Sequence, residues 1–192
     1  MINTVDAQKA WIETYTGKQF HLLAPTVDEI DIRDIAHALS LQCRWTGHCK
    51  YHYSVAQHSY YCSLLGPDNE ALYRLMHDAS EAYMSDMNRP LKHYTAAGPA
   101  YRKQEKVVQD AINARFGLPS EEPESVHIAD NQMLYTEKAQ IMSSLAWDTD
   151  WTDGQGAENL GTSKIQIEEW TPMEAEIMFL FRFNQLKRKG KK

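Results

Sequence analysis

The sequence predicts an all-α helical bundle with one short N-terminal β-hairpin, and three observations carry that prediction. Apolar residues recur at helical spacing through most of the chain, capping residues punctuate those stretches, and 43% apolar content in 192 residues is enough to enclose one core. A single domain over residues 1–192 is expected, with a frayed basic tail at 187–192.

Trp11 to Leu23 is rich in β-formers around Thr16-Gly17-Lys18, which predicts the hairpin. From Asp31 the pattern turns helical: Ile32, Ile35, Ala36 and Leu39 share a face behind an Asp able to cap free N–H groups, and Arg44-Trp45-Thr46-Gly47-His48 breaks the period. Ser54 and Gln57 form a capping-box pattern ahead of Val55, His58, Cys62 and Leu65, and Gly66-Pro67 closes that helix. Asp68 or Asn69 opens the next, in which Ala71, Leu75, Asp78 and Ala82 share a face. After Asn88-Arg89-Pro90, Tyr101 to Phe116 reads as an amphipathic helix stopped by Gly117. A further helix is expected over Glu124 to Leu145, with Val126, Asp130, Met133, Leu134 and Glu137 close together around its axis. Trp147 to Gly161 has no periodicity and reads as a surface loop. Thr171-Pro172-Met173-Glu174 signposts the last helix, whose apolar run Ile177 to Phe183 is expected to dock on the bundle.

Charge narrows the classes of partner. With 26 acidic against 20 basic residues the formal charge is −6, which argues against broad binding to a nucleic-acid polymer. A small anionic substrate would instead need a local cluster of Arg and Lys. No stretch approaches the roughly 18 consecutive apolar residues of a membrane span. Met1 to Ala10 lacks the basic start and apolar run of a signal peptide, so a cytoplasmic protein without a membrane partner is expected. Three cysteines, Cys43, Cys49 and Cys62, are too few for a disulfide framework and suit a reducing compartment. Cys49 and His52 have a ligand-like spacing but no second matching pair, so an ordinary thiol and imidazole are expected there.

Four polar residues interrupt apolar stripes on three separate helices: His58, the adjacent His77 and Asp78, and Asp130. Buried ionisable groups are costly unless paired or bound to metal. Two imidazoles and two carboxylates suit a divalent transition ion such as Mn, Fe, Co or Zn better than Mg or Ca, which prefer oxygen throughout. Glu81 follows His77 by four residues, one helical turn along the same face.

Ser54-Val55-Ala56-Gln57-His58-Ser59, His77-Asp78-Ala79-Ser80-Glu81-Ala82-Tyr83, Asp86 through Pro90-Leu91-Lys92, and Ala129-Asp130 resemble, in order and spacing, the motifs of HD-superfamily phosphohydrolases. The likeness is to the bacterial 5′-deoxynucleotidases and the phage dATP triphosphohydrolases. It extends to the leader Asp34-Ile35-Ala36-His37-Ala38-Leu39-Ser40 and to Arg44-Trp45. The resemblance implies an HD-domain bundle with a divalent metal held by His58, His77, Asp78 and Asp130, joined by a second ion if the substrate is a triphosphate. Such an ion acidifies water and polarises a phosphoryl oxygen, so that the α-phosphorus of a deoxynucleotide is attacked.

By the same resemblance Glu81 is the general acid/base, and the blander reading is a surface Glu pairing with Arg74 or a neighbouring Lys. Arg44 and Lys92 are candidate phosphate contacts. Asp86 is a candidate acceptor for the deoxyribose 3′-hydroxyl, or alternatively a cap for the turn before Pro90. Trp45 and Pro90 are candidates to flank the base, His48 and Tyr53 to line the pocket, and Trp45 is equally readable as packing. Deoxynucleoside monophosphates and dATP or other dNTPs stand as near-equal substrates, and small Gly47 leaves strict adenine selection in doubt. The rival from another class is a catalytically silent nucleotide-binding module; a guanosine alarmone or cyclic nucleotide substrate leaves Asp86 and Arg44-Trp45 unexplained. A homo-oligomer is expected from the resemblance, in host cytoplasm if the chain is phage-encoded. Trp147, Trp151 and Trp170 are candidates for its interface, or equally for partial burial on the same subunit.

Overall fold

The computed structural model describes residues 9–143 and 160–189. Strand β1 (Trp11–Glu13) pairs antiparallel with β2 (Gln19–His21), Ile12 opposite Phe20. The link turns at Gly17, whose φ of +79° is accessible to a residue without a Cβ. Phe20 is fully buried and stacks on Tyr83 at 3.8 Å. Thr16 completes the attachment, since its N–H and hydroxyl donate to buried Asp34 at 2.6 and 2.9 Å. The hairpin is thereby fixed to helix α1 (Ile32–Leu41), which buries Ile35, Ala36 and Leu39.

Helix α2 (Val55–Cys62) starts as its cap predicts, the Gln57 N–H donating to Ser54 Oγ at 3.1 Å. Gln57 does not return the bond; its amide instead donates to the Glu168 carbonyl at 2.7 Å. After Cys62 come turns rather than a helix lasting to Gly66.

The helix expected through Asp78 and Ala82 is interrupted. Helix α3 (Ala71–Met76), preceded by a 3-10 turn over Asp68–Glu70, ends before His77, and the chain resumes helically at α4 (Glu81–Met84). Between them Ala79, Glu81, Ala82 and Tyr83 donate backbone N–H groups three residues back, the tighter 3-10 pattern. Gln109 stitches the break, accepting from Ser80 N–H at 3.1 Å and donating to the Met76 carbonyl at 2.9 Å. A side chain distant in sequence thus satisfies backbone groups that a continuous helix would have paired.

Helix α5 (Arg89–Tyr94) is capped by Asn88, which accepts from Leu91 N–H at 3.2 Å. Helix α6 (Gly98–Phe116) begins three residues before the expected Tyr101 and stops at left-handed Gly117. Helix α7 (Glu124–Gln140) is shorter than the Glu124–Leu145 span the sequence suggests. Helix α8 (Pro172–Lys189) has the predicted reciprocal cap between Thr171 and Glu174. It remains helical through Lys189, so Lys187 to Lys189 are not frayed; Lys187 donates to the Phe116 carbonyl at 3.0 Å. Its apolar run docks on one side only, with Phe179 and Phe183 buried but Ile177 and Phe181 exposed. The loop predicted from Trp147 lies almost entirely outside the described residues, as do Trp151 and the last three residues of the tail.

Two apolar clusters meet along α2. One joins Phe20, Ile35, Leu39, Val55, Leu75, Met76, Ile112 and Phe179; the other joins Tyr53, Tyr61, Cys62, Ala129, Met133 and Ile141. An extended segment ahead of α8 closes the second cluster, held by side chains acting as backbone partners. Gln140 donates to the Ile165 carbonyl at 2.8 Å and accepts from Ile167 N–H at 2.9 Å. Among the described residues no helix is long and apolar enough to cross a membrane.

The Asp31 cap is measurable. Its carboxylate accepts from the N–H and guanidinium of Arg33 at 3.0 Å each, and that pairing outweighs desolvation and holds the carboxyl well below the usual range. A depressed carboxyl pKa stabilises the fold above the unfolded value, near 3.9, and the contribution is lost as pH falls through the folded one. Asp31→Ala is expected to cost about 1 kcal/mol at neutral pH. Denaturant unfolding of both proteins should show the difference shrinking in acid; a difference constant with pH would show that the ionised cap contributes nothing.

Candidate metal centre

Three elements bring the predicted ligands together. His58 comes from α2, His77 and Asp78 from the tightened turn after α3, and Asp130 from α7. His58 Nε2 lies 3.2 Å from Asp130 Oδ1 and 3.8 Å from Asp78 Oδ2, while His77 Nε2 lies 3.2 Å from the same Asp78 oxygen. The interruption at His77 therefore has a use: it turns consecutive residues toward one point.

The imidazoles are oriented from behind. His77 Nδ1 donates to the Arg74 carbonyl at 2.8 Å, and His58 Nδ1 donates to Glu137 Oε1 at 2.6 Å. In the neutral rings each Nε2 then carries a lone pair. His77 Nε2 is buried and makes no hydrogen bond, despite the nearby Asp78 oxygen. Lone pairs and carboxylate oxygens converging without hydrogen between them require either protonated rings or a cation. Burial disfavours protonation of His77, yet the Asp78 carboxylate outweighs it and raises the imidazole to about 9. The charges agree: Asp78, Asp130 and Glu137 against Arg44 leave two negative charges, which one divalent ion neutralises. The donor set of imidazole nitrogen and carboxylate oxygen fits a transition ion.

Cys62 enters this group unannounced. Its sulfur lies 3.3 Å from His58 Nε2, and donor atoms of His58, Cys62, His77 and Asp130 all fall within 4.8 Å of one another, a group that could hold a metal ion. The signal was present in the sequence as the four-residue spacing from His58, but a cysteine on an apolar stripe is ordinarily core. Cys49 and His52 behave as expected: the Cys49 thiol faces the Arg44 carbonyl at 3.7 Å, its pKa pushed up to about 12 by burial, and His52 Nε2 lies 3.1 Å from the Ser40 carbonyl.

Glu81 is buried, with Oε2 lacking a hydrogen-bond partner. Burial raises its carboxyl well above the usual range, and the Asp78 and Asp86 charges add to the effect. The alternative of a surface pair with Arg74 fails, because Arg74 is itself buried and donates to the Cys62 and Pro67 carbonyls and to Ser125. Helix α5 itself is capped by Asn88 rather than by Asp86. Desolvation raises Asp86, Arg44 opposes it, Asp78 adds to it and Lys92 opposes again, which identifies the charges around it.

Arg44 reaches across the centre, its Nε 3.2 Å from Glu137, Nη1 3.6 Å from Asp78 and Nη2 4.0 Å from Asp130. Trp45 donates its indole N–H to Glu137 at 2.9 Å. Its backbone, like that of Thr46 and Gly47, has positive φ, at 57°, 53° and 81°. The two non-glycine residues each carry about 1–3 kcal/mol of strain, which persists only where surroundings hold it. Tyr53 is fully buried and donates to Glu137, so it anchors the centre from behind rather than lining a pocket; His48 is exposed. Lys92 on α5 pairs with Glu105 at 2.7 Å, and Pro90 is exposed on the same helix.

The mutually close donor group contains Cys62 and not Asp78, the ligand expected from the sequence. The Asp78 oxygen faces both imidazoles, so Cys62→Ser is expected to retain one equivalent of cobalt(II) with little change in its absorption spectrum. An intense thiolate-to-cobalt band in the parent protein, lost in Cys62→Ser, would instead make the sulfur a ligand.

No family model matches the chain. It is 37% identical over 177 residues to the uncharacterized protein YfdR of Escherichia coli (strain K12), a match covering 92% of this chain and 96% of that protein. It is also 35% identical over 147 residues to the uncharacterized protein RCAP_rcc00048 of Rhodobacter capsulatus, covering 70% and 74% respectively. At 37% identity over nearly the whole of both chains, this protein belongs to the family of YfdR.

Proposed function

We propose that the chain is a metal-dependent phosphohydrolase of the HD superfamily acting at the α-phosphorus of deoxynucleotides. The observation that carries this reading is the convergence of His58, His77, Asp78 and Asp130, with a buried His77 nitrogen left unpartnered. These residues would hold a Mn, Fe, Co or Zn ion, which when bound supplies acidified water and polarises a phosphoryl oxygen.

The surrounding residues divide the remaining work. Hydrolysis joins water oxygen to phosphorus and breaks the bond from phosphorus to the 5′-oxygen, which leaves needing a proton. Glu81, its carboxyl raised by burial and by the Asp78 charge, is the group suited to supply it. Arg44 presents a fork to phosphate oxygens, and Lys92 keeps N–H donors beyond the one given to Glu105. Asp86 is the acceptor for a sugar hydroxyl, with Trp45 and Pro90 bordering the base. Mono- and triphosphate substrates break the same bond and differ only in the group released.

Metal-loaded protein incubated with each dNMP and dNTP is expected to release phosphate from the former or triphosphate from the latter. Absence of turnover with Mn, Co and Zn overturns the proposal, and nucleotide binding without turnover identifies a silent binding module. Glu81→Ala is expected to lower kcat by roughly 10²–10⁴-fold with metal content unchanged. Full activity in that variant would remove Glu81 from the reaction.

A further inference from the structure

Glu137 is completely buried on α7, and its two oxygens receive four donors. Oε1 accepts from His58 Nδ1 at 2.6 Å and from the Tyr53 hydroxyl at 2.9 Å. Oε2 accepts from Trp45 Nε1 at 2.9 Å and from Arg44 Nε at 3.2 Å. One oxygen thus faces the candidate metal centre, and the other faces the loop that carries two candidate substrate contacts.

We infer that Glu137 is a positioning residue that couples the metal centre to the Arg44–Trp45 loop. The inference rests on the proposed metal site. Through Oε1 it fixes the His58 ring with Nδ1 protonated and Nε2 open toward the ion, as carboxylates behind ligating histidines do. Through Oε2 it holds Arg44 and Trp45 while the backbone at Trp45, Thr46 and Gly47 stays in the left-handed region. A carboxylate is suited to both tasks at once, because it only accepts hydrogen bonds and has sites for all four donors. Glutamine could not reproduce this: its amide N–H groups would confront either His58 and Tyr53 or Arg44 and Trp45.

A merely structural acid would change stability and nothing else. Zinc affinity is therefore measured by chelator competition in the full chain and in Glu137→Gln, alongside the rate of tryptic cleavage after Arg44. Expected are an affinity loss of about 10–100-fold and faster cleavage. A parent protein that binds zinc, with affinity and cleavage unchanged in the variant, overturns this inference alone. A parent protein that binds no divalent ion overturns the metal centre and the inference with it. Should Glu137→Gln not fold, nuclear magnetic resonance of zinc-loaded parent protein labelled with ¹⁵N-histidine decides the matter. The His58 ring, assigned from the resonance displaced in Tyr53→Phe, is expected to carry a downfield proton on Nδ1, and its absence overturns the coupling.

Discussion

The structure is organised by the cost of gathering electron-pair donors around two buried imidazoles. His58, Glu137 and Arg74 are fully buried, and a charge in such surroundings survives only with partners of opposite sign. Arg74 resolves its burial locally by donating to carbonyls and to Ser125. At the centre both Nε2 atoms face carboxylate oxygens, an arrangement that protonated rings or a cation would satisfy. A divalent ion satisfies the rings and carboxylates together. The rest of the fold holds these acceptors in place.

Each supporting element is fixed by contacts from elsewhere in the chain. Gln109 on α6 bridges the broken turn that presents His77 and Asp78, and Gln57 and Gln140 hold the extended segment sealing the side of α2 and α7. Amides suit these tasks, since one group both donates and accepts and so can replace a missing backbone partner. The result is a centre whose candidate ligands come from three separate elements that long-range side-chain bonds help to hold. Such bonds give directional precision that apolar packing alone does not.

This division explains what was legible in the sequence. Capping signals at Asp31, Ser54 and Thr171 and the stop at Gly117 are local, and the helices begin or end there. The polar interruptions at positions 58, 78 and 130 were visible because each falls on an otherwise apolar stripe, and His77 because it adjoins Asp78. The break after Met76 was not visible, because its cause is Gln109, more than thirty residues further on. Glu137 could be seen to face inward, but not to bind His58 and Trp45, which periodicity cannot relate. Cys62 resembled ordinary core for the same reason. The docking of Ile177 and Phe181 was expected from hydrophobicity alone, whereas α8 buries only the face carrying Ala175, Phe179, Phe183 and Leu186.

On the proposed function, Arg44 links ion binding to substrate binding through electrostatics. Without an ion its guanidinium lies between Asp78 and Asp130 and is part of what balances them. Burial disfavours that charge, but Glu137, Asp130 and Asp78 outweigh the cost, so the side chain stays protonated and committed to the carboxylates. A divalent ion on the same two carboxylates makes the arginine surplus there, while Nε remains on Glu137. The two terminal nitrogens are then the natural partners for a phosphate arriving beside the ion. In a chain of net negative charge, a cation first held by its own acids and later released to an anionic ligand supplies positive potential where it is needed, without a basic surface.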